Sequence, residues 1–243
     1  MSSTVTRATQ ILELVSQEPK TAQQISQHFQ AHPSTIFRLL QTLQRAGFLM
    51  RYPDGSYAIG FGLIELAQKA LDDVDLRRAA YGPIRSLHAK VGHTVHLAQR
   101  SGSSVSYIDK VESPDGIRLY SRIGRPVRLN CTGVGKAILS RLSDEERAAL
   151  LANADWTRHT ETTRSPQELE EELKLIAERG WAVDDGEFED FINCIAVPIL
   201  SPSGHPLGAV SITSLKAISN LTALSDCLDD LQLTAEDISA ALR

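Results

Sequence analysis

Residues 34–45 read Ser34-Thr35-Ile36-Phe37-Arg38-Leu39-Leu40-Gln41-Thr42-Leu43-Gln44-Arg45, a stretch with two opposed characters. Ile36, Leu39, Leu40 and Leu43 recur at three- and four-residue steps, the spacing that lines one face of an α-helix. Ser34, Thr35, Arg38, Gln41, Thr42 and Arg45 lie away from that face. Pro33 stands where a helix begins, and Ala46-Gly47 supplies the glycine that closes one. A helix that buries one face and offers arginine, amide and hydroxyl groups on the other suits the major groove of DNA.

The residues on either side agree. Residues 5–17 carry Val5, Ala8, Ile11, Leu12 and Val15 on one face and stop at Glu18-Pro19, because the residue before proline avoids helical geometry. Thr21 is a good N-cap for a short helix over 22–29, with Ala22, Ile25 and Phe29 turned inward. After Gly47, residues 48–52 and 56–59 flank Pro53-Asp54-Gly55, a strong hairpin signal. Three helices and a hairpin make a winged helix-turn-helix over residues 1–60.

Within it the expected roles differ. Ser34 and Thr35, at a helix N-terminus, suit phosphate or a base edge. The Arg38 fork matches guanine N7 and O6, and Gln41 suits adenine or phosphate. Arg45 suits phosphate, while Arg51 and Ser56 in the wing and Arg7 near the start suit the backbone or minor groove. The charge is uneven in the same sense: residues 1–60 carry +2 and the remainder −7, out of −5 overall.

An apolar helix follows at 63–71, on a 61–74 linker. Its apolar residues cover more than one face, which suits packing against a partner chain. Residues 75–91 form another helix. After Gly92 the period becomes two over 94–100, 104–111, 117–123 and 126–130, which predicts strands. Helices are expected at 133–142, 144–151, 166–179 and 222–242. Strands are expected at 192–200 and 206–213, joined by the Ser201-Pro202-Ser203-Gly204 turn. Residues 75–243 thus read as an α+β domain with an antiparallel sheet.

Several classes are excluded on expectation. Apolar runs fall far short of the ~20 residues that span a bilayer, and the first twenty residues do not resemble a signal peptide, so a cytoplasmic place is expected. Cys131, Cys194 and Cys227 are scattered, against a disulfide scaffold or zinc site. His93 and His96 are badly spaced for one-face ligation on a strand, so neither metal nor cofactor is expected. No histidine accompanies either Cys131 or Cys194 in a nucleophile arrangement, so the chain is not expected to be an enzyme.

Further segments carry a family likeness: residues 5–12 (Val-Thr-Arg-Ala-Thr-Gln-Ile-Leu), residues 34–43 with Gly47-Phe48-Leu49, Tyr120-Ser121-Arg122-Ile123-Gly124, Thr132-Gly133-Val134-Gly135-Lys136-Ala137-Ile138-Leu139, and Asn193-Cys194-Ile195-Ala196-Val197-Pro198. On these the chain resembles the IclR family of transcription regulators over nearly its whole length. The stretch 120–136 together with Asp75-Leu76-Arg77-Arg78-Ala79 looks most like regulators of sugar-acid catabolism of the ketodeoxygluconate type.

The resemblance implies a GAF/PAS-like C-terminal domain that binds a small carboxylate effector. It implies a homodimer or dimer of dimers on a palindromic double-stranded operator, repressing or activating a catabolic operon. Three segments are then expected to form the effector site. The first is Asn130, Cys131, Thr132, Gly133, Val134 and Gly135, a turn into a helix whose N–H groups suit a carboxylate. It lacks the Ser/Thr after lysine that a P-loop requires. The second is an acidic loop from Asp184 to the strand bearing Ile192 and Cys194. The third is Ser211 and Thr213, on one face of a strand. Each also fits a plainer role in a core, a strand or a solvated loop, and a domain that only oligomerises remains open. Phe191, where many relatives have glycine, implies a narrowed pocket.

Overall fold

A computed structural model describes residues 4–112, 121–152 and 154–242. The chain divides into two compact units, Met1–Asp73 and Val74–Arg243. Among the described residues, no helix is long and apolar enough to cross a membrane.

The first unit begins with α1 (Thr4–Gln17), β1 (Lys20–Thr21), α2 (Ala22–His28) and α3 (Pro33–Arg45). It continues with β2 (Leu49–Arg51), β3 (Ser56–Ile59) and α4 (Phe61–Asp72). Thr21 caps α2 in a reciprocal arrangement with Gln24. Pro33 opens α3, with the His32 ring as its cap. Gly47, at φ 74°, lets the Phe48 N–H turn back to the Leu43 carbonyl at 2.9 Å. The periodic apolar residues converge as expected: Ile11, Val15, Ile25, Ile36, Leu39, Leu40, Leu43 and Leu49 form one core with Tyr57.

The sheet here has three strands in the order β1-β3-β2. The sequence foretold only the hairpin. Two residues after Pro19 are too short a signal for β1, which exists because β3 offers it a free edge. In the hairpin turn Gly55 has φ 84° and the Asp54 carboxylate accepts both the N–H and the hydroxyl of Ser56.

The second unit contains α5 (Asp75–Val91), β4 (Thr94–Ser101), β5 (Ser104–Val111), α6 (Gly133–Leu139), α7 (Asp144–Leu151) and α8 (Pro166–Arg179). Then come β6 (Ala182–Asp185), β7 (Ile192–Leu200), β8 (Pro206–Leu215), α9 (Leu221–Ser225) and α10 (Leu228–Ala241). The sheet is antiparallel in the order β5-β4-β8-β7-β6. One face packs Val95, Leu97, Ile195, Val197, Val210 and Ile212 against α5 and α10. The other carries Ala98, Ala196, Ala209 and Ala182 beneath α6 and α8. Burial on both faces explains why β7 is apolar almost throughout.

Four expectations change. Residues 126–130 are not a strand: Pro126 makes an isolated bridge to Ser106, and the chain then turns toward α6. Ser121–Ile123 are not strand either, and 117–120 lie outside the described residues. The supposed loop at Asp184-Asp185 is the end of β6, paired with Cys194 and Asn193. The closing helix is broken between α9 and α10 near Cys227.

Leu40 is fully buried at the centre of the first unit. Leu40→Ala should therefore cost about 2–5 kcal/mol, read from the urea unfolding of helical ellipticity. A loss under about 1 kcal/mol would mean that α3 is not packed as described.

A recognition helix and an effector cavity as candidate sites

On α3 the side chains opposite the core are open. Ser34, Thr35, Arg38, Thr42 and Arg45 are exposed and Gln41 is half-buried. Arg51 is exposed on the hairpin, its guanidinium 5.6 Å from the Tyr57 ring centre. Arg7 is half-buried, 4.9 Å from the Phe29 ring centre, and donates to the Phe29 carbonyl at 3.2 Å. The structure corrects the placement of Ser56. It is 6% exposed with its hydroxyl bound to Asp54 at 2.6 Å, so it fixes the turn from inside.

The second site follows from strand register. Thr94, Thr213, Cys194 and Asp184 are successive partners across four strands, and His96, Ser211, Ala196 and Ala182 form the next row on the same face. Side chains two apart on a strand share a face, so the rows lie side by side. Alanines in the second row leave depth above the sheet. The start of α6 roofs this space, where Thr132 caps the Gly135 N–H.

The resulting cavity is small: about 50 Å³ is open to the centre of a water molecule, and about 530 Å³ is unfilled when its open mouth is counted. Of the residues expected there, Thr132, Gly133, Val134, Asp184, Ile192, Cys194, Ser211 and Thr213 line it. Asn130, Cys131 and Gly135 do not. Asn130 is turned to the Asp155 carbonyl at 3.1 Å, and Cys131 is wholly buried. Gly135 is glycine for packing: a Cβ there would meet the Leu129 Cα and carbonyl oxygen at 2.6 Å. Phe191 is 48% exposed and is not a wall residue; Phe188 is.

Sequence reasoning missed His96, Tyr107, Ser121, Arg128 and Phe188, and set Glu189 in an undifferentiated acidic loop. His96 sits in the floor with Nε2 2.6 Å from the Ser121 hydroxyl and Nδ1 3.2 Å from that of Thr213. Burial, with Lys110 nearby, lowers its pKa to about 3, so the ring is neutral. A neutral imidazole has one donor and one acceptor, which orders the two hydroxyls in opposite senses. Only strand alternation in 94–101 hinted at its direction; the opposing residues come from β8, more than a hundred positions away.

Half-buried Arg128, Phe188 and Glu189 stand at the solvent end, with Arg128 paired to Asp155 and 5.5 Å from the Phe188 ring centre. Both Cys131 and Cys194 thiols are pushed up to about 12 by burial, then by Asp184, so neither is a thiolate near neutral pH.

Beneath the wall lies a buried ionic cluster. Lys136 of α6 has no exposure; its ammonium is 2.5 Å from Glu187 and 2.8 Å from Glu172 of α8. Asp184 accepts the Glu187 N–H at 2.8 Å. Burial, then the Glu187 charge, pushes the Asp184 carboxyl up from 3.8 to about 7. The folded chain thus holds this proton more tightly than the unfolded chain does. Stability falls as pH rises from about 4 to 7, and the whole deficit stands above 7. Asp184→Asn should therefore stabilise the protein by up to about 4 kcal/mol at pH 8 and by little at pH 4. Equal effects at both values in denaturant titrations would contradict a buried, proton-holding Asp184.

Comparison with known proteins identifies the family. Residues 4–53 match the IclR helix-turn-helix domain, and residues 68–240 match the bacterial transcriptional regulator IclR C-terminal model. The transcriptional regulator KdgR of Escherichia coli is 31% identical over 99% of this chain and 92% of its own. The crystal structure of Thermotoga maritima IclR superposes with a TM-score of 0.85 at 31% identity, over 98% of each chain. An IclR homolog from Microbacterium hydrocarbonoxydans, complexed with 4-hydroxybenzoate, shares the fold with a TM-score of 0.82 at 23% identity, over 99% of each chain. These relatives are regulators of transcription, not enzymes. The chain belongs to the IclR family of bacterial transcriptional regulators.

Proposed function

We propose that the chain binds a palindromic duplex in the cytoplasm as a homodimer or dimer of dimers, through the open face of α3, and that a small hydroxylated carboxylate in the cavity of the second unit sets its DNA affinity. The proposed domains are a winged helix-turn-helix over 1–60, a linker helix over 61–74 and an effector domain over 75–243. Dimerisation is supported by α4, which buries no residue of its own and leaves Phe61 at 75%, Ile64 at 57% and Leu66 at 50% exposure.

The observation that carries the effector reading is the composition of the cavity wall. Arg128 supplies a cation at the open end, and Asp184, His96, Ser211 and Thr213 supply acceptors and donors deeper in. A carboxylate fits the first and hydroxyl groups fit the second. Gly133 and Val134 close the space above them. The homolog complexed with 4-hydroxybenzoate supports an organic acid as the class of ligand. The polar floor favours a sugar acid over a benzoate. On α3, Arg38 is the base-reading residue, with Ser34, Thr35, Gln41 and Arg45 around it and Arg7 and Arg51 toward the backbone.

Two measurements test this. Arg38→Ala should reduce the preference for a selected duplex over random DNA by roughly 5–100-fold, as loss of one bidentate base contact does, while melting temperature stays unchanged. In a thermal-shift screen of aldonates, uronates, 2-keto acids and benzoates, a sugar acid should raise the melting temperature, and Arg128→Ala should remove the rise. A protein that no acid stabilises would sink the effector reading.

A further inference from the structure

Phe37 is the one large apolar side chain on the open side of α3, 47% exposed. At 100° per residue it stands about 60° outside Leu40, on the flank of the buried Ile36, Leu39, Leu40 and Leu43 stripe. It is absent from the first unit's core, against which Phe29 and Phe48 pack. Among the described residues no ring or guanidinium is set against it.

A lone exposed apolar residue is ordinary on a protein surface. Position and company make this one specific. Helical side chains lean toward the N-terminus, so the ring covers the turn of Pro33 and Ser34, the end of the helix that reaches base edges. Exposed Ser34 and Arg38 and half-buried Gln41 surround it. An apolar spot that small, ringed by hydrogen-bonding groups, is a poor seat for a protein surface, which needs a broad apolar patch. It suits a single methyl group. Among the base edges of the major groove only thymine carries one, at C5.

We propose that Phe37 reads thymine by packing its ring on the C5 methyl, so that each half-site holds a required T·A pair beside the pair read by Arg38. This rests on α3 entering the major groove. Phe37 then supplies specificity by contact, and Arg38 by paired hydrogen bonds.

The test uses the full chain. Duplexes are selected from a randomised pool, and each thymine in the selected site is replaced singly by deoxyuridine, which deletes the methyl and keeps the pairing. Affinities are measured by anisotropy for the wild type, Phe37→Ala and Phe37→Leu. A single deoxyuridine should weaken wild-type binding by about fourfold, the value of one buried methyl. Phe37→Ala should bind thymine and deoxyuridine duplexes equally at that position, and Phe37→Leu should retain part of the difference. Unchanged melting temperatures show that the variants fold, as expected for an exposed ring. The inference is overturned if no thymine is sensitive in the wild type, if the selected half-sites share no T·A pair, or if Phe37→Ala keeps the difference. If the wild type prefers no duplex at all, the DNA-reading assignment of α3 fails with it; selection with no methyl effect overturns Phe37 alone. Loss of self-association in Phe37→Ala, with the methyl effect absent, would assign the ring to a contact between copies.

Discussion

A buried cation organises the second unit. The Lys136 ammonium is removed from water and answered by two carboxylates, Glu172 from α8 and Glu187 from the turn after β6. Stripping a cation of water costs several kcal/mol, and taking away its partner leaves that cost unanswered. The three elements can therefore part only by exposing or orphaning charge. The arrangement has one loose end: Glu187 Oε2 is buried without a hydrogen-bond partner. Through its own N–H the same Glu187 fixes Asp184, a buried carboxyl of the cavity wall. The wall thus inherits its geometry from an ion cluster that lies behind it.

The sheet supplies the remaining constraint. Antiparallel pairing of β4, β8, β7 and β6 sets Thr94, Thr213, Cys194 and Asp184 in one row and His96, Ser211 and two alanines in the next, which gives both a lining and a space above the alanines. Gly133 lets α6 come down on this floor: a Cβ there would stand 2.9 Å from the Cys194 sulfur. The large aliphatic side chains of β4, β7 and β8 lie on the opposite face, where α5 and α10 bury them. One sheet thereby buries a core on each side and, on one of them, also carries the floor of the candidate cavity.

Most of the first unit was legible from local signals. Its helices carry clean three- and four-residue periods, its caps are Thr21 and Gly47, and its hairpin turns on Asp54-Gly55. Local chemistry also misled at Ser56, whose hydroxyl is used within the turn it helps to make. In the second unit the elements α5 and α8 were plain, whereas β6 was hidden because Asp184 and Asp185 look like loop residues until their pairing with β7 is known. The site was half legible. Segments near glycine and near the acidic run stood out, but His96, Tyr107 and Ser121 reach the cavity through register and long-range folding. Gly135 announced itself as a ligand-binding glycine and is instead a packing one. Nothing local in Lys136 signals a lysine with no exposure.

A regulator of this kind must couple two sites, and coupling is reciprocal: a ligand that changes DNA affinity by some factor must have its own affinity changed by the same factor when DNA is bound. The most direct measurement is calorimetric titration of a stabilising acid into the full-length protein, free and then saturated with its selected duplex. The expected result is a shift in acid affinity of about 5-fold or more, equal to the acid's effect on DNA affinity. Identical acid affinities with and without DNA would contradict a cavity that controls the recognition helix.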